Sequence, residues 1–516
     1  PSDAAAFEAW ADERFGVALR QSKGTGLAVL SEASGSPSVA RMRQAFEAAF
    51  PNATWHEYEA LDGDAGRIGT ELAFGAPHRA IPMLDKADVV VCLDADPLLT
   101  HPASNRLAKD WATRRRLDAA DPAQQEISRV YAIEGALSVT GMNADDRIIV
   151  RPGDVAAVAA KIAEATGADA NGLAELGGTV TLGDLDQRIL DALVADLKAH
   201  RGSSVVIAGE GQPPAVHALA AAMNVALGNV GRTVAYVADP APVRVASLAA
   251  LAKRLNDGEV QTLVIVGGNP VFDAPADLDF AAAMKKASET VHLSYDVNET
   301  SQACRWHLPR THFLESWGDT TAFDGTVSIT QPLIEPMMDL AQKGWSPIEL
   351  LAALTGSEPR DGRSIVRATE AARSGTSGAT FEAHWRTILD QGVIDGTAAA
   401  LATPGSFDAS RVGGAVAALA AERGSVASDA IELAFLTDSR MYDGRYANLG
   451  WLQELPDPIT KITWDNALLA SPAMCADRGW REGDMVTVTA GGRSIEAAVF
   501  PVPGMERRTV AIALGW

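Results

Sequence analysis

Between residues 304 and 332 the chain gathers a thiol (Cys304), two imidazoles (His307 and His312) and three carboxylates (Glu315, Asp319 and Asp324). Thiolates and imidazoles ligate soft metals, and paired carboxylates move protons, so the block could be a metal centre or an acid–base site. Strand geometry argues against the metal. With 305–308 extended, side chains alternate: Cys304, Trp306 and Leu308 face one way, Arg305 and His307 the other. Pro309 ends the strand before His312. Cys304 and His307 then straddle the strand and cannot share an ion. Glu315 and Asp319, four apart, would face together on a helix as an acid–base pair. Turn capping, or pairing with Arg305 and Arg310, is the reading their neighbours favour.

Two glycine loops are the other candidates. Gly267, Gly268 and Asn269 follow an apolar run, so their amides and the Asn269 side chain could hold a phosphate, a pterin or a purine edge. The plainer reading is a tight strand-to-helix turn, with glycine supplying an unusual dihedral and Asn269 capping the next helix. Gly209, Glu210 and Gly211 lack the third glycine of a dinucleotide fingerprint, and Glu210 would repel a pyrophosphate. A nicotinamide dehydrogenase is therefore disfavoured. No G-x-S-x-G elbow is present, and no serine or cysteine stands in an activated context. Cys92, Cys304 and Cys475 have no C-x-x-C spacing, which excludes a four-cysteine iron–sulfur cluster built from them. Cys92 reads as a buried small hydrophobe. Trp451 and Trp464, with Tyr442 and Tyr446, read as core and interface packing.

These residues need elements to position them. The apolar runs 26–30, 87–93, 204–208 and 261–266 read as buried strands, each ending in a polar or glycine-rich loop, with helices over 39–50, 155–165 and 215–227. Shorter strands are expected over 130–133 and 146–151. Buried strands alternating with helices predict an α/β fold of two doubly wound parallel-sheet units, whose ligands sit beyond the carboxyl ends of the strands. Residues 355–378, rich in Ser, Gly, Pro and charge, read as a linker, with a helix over 381–394. Alternating segments at 431–436, 485–489 and 494–500 predict a small β-barrel or sandwich. The expected order is 1–185 and 186–356 for the two α/β units, 357–429 for a linker and helical segment, and 430–516 for the barrel.

Length and charge set outer limits. A chain of 516 residues with 21% charged and 47% hydrophobic residues is globular, with room for about three domains. No apolar run reaches the roughly 18 residues of a transmembrane helix. A net charge of −22 argues against nucleic acid, which is bound through Lys and Arg. The basic run Arg114 to Arg116 reads as a helix surface, and an acidic surface suits a partner with a basic face. The segment after Pro1 reads as amphipathic and not as a recognisable signal peptide. The expectation is a cytoplasmic protein, or one whose targeting segment lies outside this chain.

The order of these pieces resembles a family. Leu308-Pro309, Leu314-Glu315, Gly318, Phe323 to Gly325 and Gln331 are similar to a block of the molybdopterin oxidoreductases of the dimethyl sulfoxide reductase type. Gly267 to Pro270 resembles that superfamily's G-x-N-P loop, and Asp96-Pro97 with Thr100 to Pro102 resembles its counterpart in the inserted α/β domain. Trp464 to Asn466, Ser471-Pro472, Gly479 and Gly483 to Val486 resemble its dinucleotide-binding barrel. Closer still is the molybdopterin-like half of the large iron–sulfur subunit of alternative complex III. It is matched at 31–37, 87–91, 93–96, His307 to Pro309, Glu315 to Asp319, Tyr442 to Arg445 and Gly450 to Pro456. That half is understood to carry no molybdenum cofactor. Its iron–sulfur clusters belong to a following ferredoxin-like half, and the full subunit carries a twin-arginine signal.

The resemblance implies a non-catalytic, cofactor-free scaffold on the periplasmic side of the inner membrane. Its partners would be subunits of a quinol-oxidising respiratory complex and its own ferredoxin-like half, with no nucleic acid and no direct membrane insertion. The chain would be an excised middle of the subunit. The superfamily's E-G-R is replaced by Phe323 to Thr326, and no cysteine or serine stands out as a molybdenum ligand. The alternative is a fragment of a genuine molybdopterin guanine dinucleotide enzyme, with Gly267, Gly268, Asn269, Asp96 and Thr100 lining the cofactor cleft.

Overall fold

The computed structural model describes residues 3–117, 125–239, 244–337, 343–424, 427 and 429–516. Two compact units interleave along the chain: 1–60 with 242–399, and 61–241 with 400–516.

The first unit is built on a five-stranded parallel sheet in the order Trp306–Pro309, Glu289–Ser294, Thr262–Val266, Leu27–Ser31, Thr54–Glu57. Its central strands are buried along their whole length, as continuous apolar runs require. The two-residue period splits them between two cores. Val29 and Val264 pack with Phe7, Phe46 and Leu351. Ala28, Leu30, Leu263 and Ile265 pack with Leu251 and Phe280. Helix Pro37–Ala49 starts with proline in its first turn and Ser36 as cap, the Ser36 hydroxyl oxygen accepting the Val39 amide at 3.0 Å. The stretch expected as a linker holds the helix Gly362–Ser374. Asp361 caps it, and Ile365 and Val366 bury completely. Its polar composition reflects one exposed face rather than an absence of structure.

The second unit contains a four-stranded parallel sheet in the order Asp146–Ile149, Arg129–Glu134, Val89–Leu93, Ser204–Ala208. It also holds an antiparallel pair, His78–Pro82 with Val234–Ala238. Cys92 is buried, as expected. Arg114 and Arg115 end the helix Ser104–Arg115 and pair with Asp88 and Asp145. The C-terminal strands form a mixed sheet in the order Glu432–Leu436, Thr509–Ala513, Ala467–Ala470, Arg493–Pro501, Met485–Ala490. Among the described residues this ladder is open, with Glu432–Leu436 and Met485–Ala490 as its edges. The tryptophans expected in core and interface packing are not in a core: Trp451 is 89% exposed and Trp464 58%. A polar core organises their loop instead. Buried Arg440 donates to the Leu455 and Ile462 carbonyls (3.3 and 2.8 Å), and buried Asp438 accepts from the Trp516 indole at 2.7 Å.

The sequential domain order is overturned by strand pairing. Leu27–Ser31 pairs with Thr262–Val266, and Val89–Leu93 pairs with Ser204–Ala208. Periodicity identifies a strand, but which strand lies beside it is settled by long-range burial. Among the described residues no helix is long and apolar enough to cross a membrane.

Candidate functional site

Ligands of open α/β sheets sit beyond the carboxyl ends of the strands, where strand order reverses. In the first unit that point lies between Leu27–Ser31, which leads into Glu32, and Thr262–Val266, which leads into Gly267 and Gly268. Both glycines are left-handed, at φ +79 and +75. Glu32 enters this turn. One carboxylate oxygen accepts the Gly268 amide at 3.0 Å, and the other accepts Arg310 Nη1 at 2.7 Å. Arg310 stacks 4.8 Å over the Tyr295 ring. A Cβ on Gly267 would lie 2.3 Å from Glu32 Oε2 and 2.8 Å from Arg310 Nη1. The glycine is there to admit the chain's own carboxylate.

The neighbouring donors are taken the same way. Glu59 accepts the Ala33 amide at 2.8 Å. Buried Asp319 sits on the N-terminus of helix Pro37–Ala49. It accepts the Ser38 amide at 3.1 Å, the Ser38 hydroxyl at 2.5 Å and the Ser36 hydroxyl. Backbone amides and the helix dipole favour an anion there. Asn269 turns away from the crest: its amide donates to Glu299 at 2.7 Å, and its oxygen accepts the Thr300 amide and hydroxyl (3.2 and 2.8 Å). It ties two loops together and makes no side-chain cap to the turn Pro270–Asp273.

Two of the histidines meet at one serine, Ser301. His292 is fully buried, and burial pulls its imidazole down to about 4, so the ring is neutral near pH 7. Its Nε2 lies 3.1 Å from the Gly268 carbonyl, which can only accept, so Nε2 carries the proton. Its Nδ1 lies 2.9 Å from the Ser301 hydroxyl, which is also 3.1 Å from His307 Nδ1 and donates toward Asn298 Oδ1 at 3.1 Å. Burial also lowers the His307 pKa.

The rest of the block is structural. Cys304 precedes the strand and packs against the Leu263–Phe280 cluster, whereas Trp306 and Leu308 face the other core. It does not share their face, because the strand begins only at Trp306. Burial pushes its thiol up to about 11, far from a reactive thiolate. Glu315 accepts the His312 and Met337 amides, and Asp324 accepts the Thr326 amide, so both close turns. Glu315 and Asp319 therefore serve different segments and form no acid–base pair. Arg305 pairs with Glu289 rather than with either. Among the described residues no group of three His, Cys, Asp or Glu side chains could hold a metal ion.

In the second unit strand order reverses between Val89–Leu93 and Ser204–Ala208. Asp94 occupies that point at φ 54, and its carboxylate accepts the Gln212 amide at 2.9 Å. Asp96 accepts the Thr140 amide and hydroxyl at 3.0 and 2.5 Å, which anchors the short helix Val139–Met142. The Thr100 amide donates to the Asp96 carbonyl at 3.1 Å. Gly267, Gly268 and Asn269 thus share one turn of the first unit, and Asp96 and Thr100 one loop of the second. Motif spacing does not reach Glu32, Glu59 or Asp94. The legible signal for Glu32 and Asp94 is an acidic residue close behind the apolar runs 26–30 and 87–93.

Burial pushes the Asp94 carboxyl up to about 7, with Glu134 adding to the rise and the Gln212 hydrogen bond opposing it. The folded state then holds a proton that the unfolded chain releases. Stability is unaffected below about pH 4, falls as pH rises from about 4 to 7, and is level above that. Asp94→Asn removes this dependence, and asparagine tolerates the left-handed backbone. The variant is expected to exceed the parent by about 4 kcal/mol at pH 8 and to match it at pH 4, as read from urea midpoints. Equal loss at both pH values would contradict the assignment.

Fold and site together define a doubly wound α/β protein whose strand-order reversals are occupied by its own carboxyl groups. No protein-family model and no curated protein sequence matches the chain. Its fold is that of acetylene hydratase from Pelobacter acetylenicus, with a TM-score of 0.67 and 11% identity over 99% of this chain and 82% of that one. The formyltransferase/hydrolase complex FhcABCD from Methylorubrum extorquens, solved with methylofuran, matches at a TM-score of only 0.37. That match has 13% identity over 68% of this chain and 94% of that one. At 11% identity the first likeness is one of fold alone.

Proposed function

We propose that this chain is a molybdopterin-oxidoreductase-like scaffold without a molybdenum–pterin cofactor of its own. It would form the docking half of an electron-transfer subunit in a quinol-oxidising respiratory complex of the alternative complex III type. Acetylene hydratase is itself of the dimethyl sulfoxide reductase-type superfamily, so the fold likeness and the motifs 267–270 and 308–331 point to the same ancestry. The observation that carries the reading is Glu32. It commits the Gly268 amide and the Arg310 guanidinium to an internal carboxylate, at the position where an anionic cofactor would need them. Asn269 is bonded to Glu299 and Thr300, and Asp94 holds the corresponding point of the second unit. These residues do not fit a pyrophosphate-bearing pterin dinucleotide.

In this reading the C-terminal mixed sheet descends from the superfamily's dinucleotide-binding barrel. Electrons pass through iron–sulfur clusters in a ferredoxin-like half and not through this chain. The partners are that half and neighbouring subunits on the periplasmic face of the membrane. Metal and pterin analysis of the purified full-length protein tests it. Neither molybdenum nor pterin is expected at stoichiometric level, and finding both overturns the proposal.

A further inference from the structure

We infer that Glu32 is a built-in substitute for an anionic ligand, and that removing its charge uncovers a phosphate site on the first unit's sheet. The inference rests on the scaffold reading and extends it to a ligand class. The donors converge: the Gly268 amide at 3.0 Å and Arg310 Nη1 at 2.7 Å both point at one carboxylate, and the nearby Ala33 amide points at Glu59. Arg310 is held against Tyr295, so its guanidinium is placed in advance of any ligand. Gly267 keeps the space open, because a Cβ there would overlap both Glu32 and Arg310. The Gly268 amide beside a fixed guanidinium is a donor pair that phosphate oxygens can take in place of the carboxylate.

The chain closes the adjoining route to an anion by the same device. Asp319 holds the N-terminus of helix Pro37–Ala49, and the strand that carries it, Gly318–Thr321, lies on the loop. A Cβ on Gly35 would sit 3.2 Å from the Thr321 carbonyl oxygen. The uncovered site is therefore confined to the Gly268–Arg310 position and takes inorganic phosphate or a terminal phosphate group.

Inorganic phosphate and pyrophosphate, titrated calorimetrically into the full chain, provide the test. Glu32→Ala is expected to bind at least about tenfold more tightly than the parent, and Glu32→Ala with Arg310→Met is expected to lose the gain. Glu32→Gln can still accept the Gly268 amide. It should fold where alanine does not, and show a smaller gain in the same direction. A folded Glu32 variant that binds phosphate no better than the parent overturns the inference, as does a parent that already binds as tightly. Either outcome in a protein free of molybdenum and pterin leaves the scaffold reading standing. Molybdenum and pterin in the parent would overturn that reading instead.

Discussion

Gly209→Ala is expected to cost on the order of 3 to 5 kcal/mol, which places it among the most damaging single substitutions available in this chain. A Cβ at that position would lie 1.8 Å from the Asp94 carbonyl oxygen and 2.5 Å from its carbon. Both are backbone atoms, so no side chain can swing aside. The parallel register sets Leu93 beside Ala208, and the Gly209 amide donates to the Leu93 carbonyl at 2.9 Å. Relief would mean parting the inner strand Val89–Leu93 from its neighbour Ser204–Ala208 at the end that carries Asp94, already in a left-handed backbone at φ 54. Gly211 is the internal control: nothing lies within 4 Å of its Cβ position. Gly211→Ala should stay within about 0.5 kcal/mol of the parent. Urea denaturation of the two variants side by side decides the matter, and equal stability would mean that the strand ends are not this close.

Asp319→Ala is the second large effect, expected at about 3 kcal/mol. The carboxylate is 7% exposed and gathers the Ser38 amide and the hydroxyls of Ser36 and Ser38. Alanine takes this acceptor from the Ser38 amide and the Ser36 hydroxyl at the start of the helix that builds one face of the first core, while the Ser38 hydroxyl keeps Thr369 Oγ1 at 3.0 Å. A buried donor without a partner costs more than the bond was worth. Asp319→Asn keeps one acceptor oxygen and should recover part of the loss. Ser38→Ala combined with Asp319→Ala should destabilise by less than the sum of the two, because they remove the same bond. Additive effects in that cycle, or an Asp319→Ala protein as stable as the parent, would remove Asp319 from the helix terminus.

Much of the secondary structure is legible in the sequence. The runs at 26–30, 87–93, 204–208 and 261–266 form strands because unbroken apolar stretches of that length fit a sheet covered on both faces. The alternation that separates His307 from Trp306 and Leu308 is legible, and so is the prediction that Gly267 and Gly268 supply unusual dihedrals. That the tryptophans at 451 and 464 lie outside the core is not legible, because aromatic content says nothing of whether a covering layer exists within the chain. Residues 355–378 mislead because a helix with one exposed face has the composition of a linker.

What the sequence by itself determined is local. Side-chain period, chain stiffness and glycine's backbone freedom act within a few residues, and they settled which segments are strands and where each turns. Tertiary structure alone decided the rest. It paired the strand at 27–31 with the one at 262–266, and it brought Glu32 onto Arg310 across 278 residues and Ser38 onto Asp319 across 281. Burial and electrostatics act through space and are blind to sequence separation. No spacing rule could therefore show that the anion positions at the first unit's crest are filled from within.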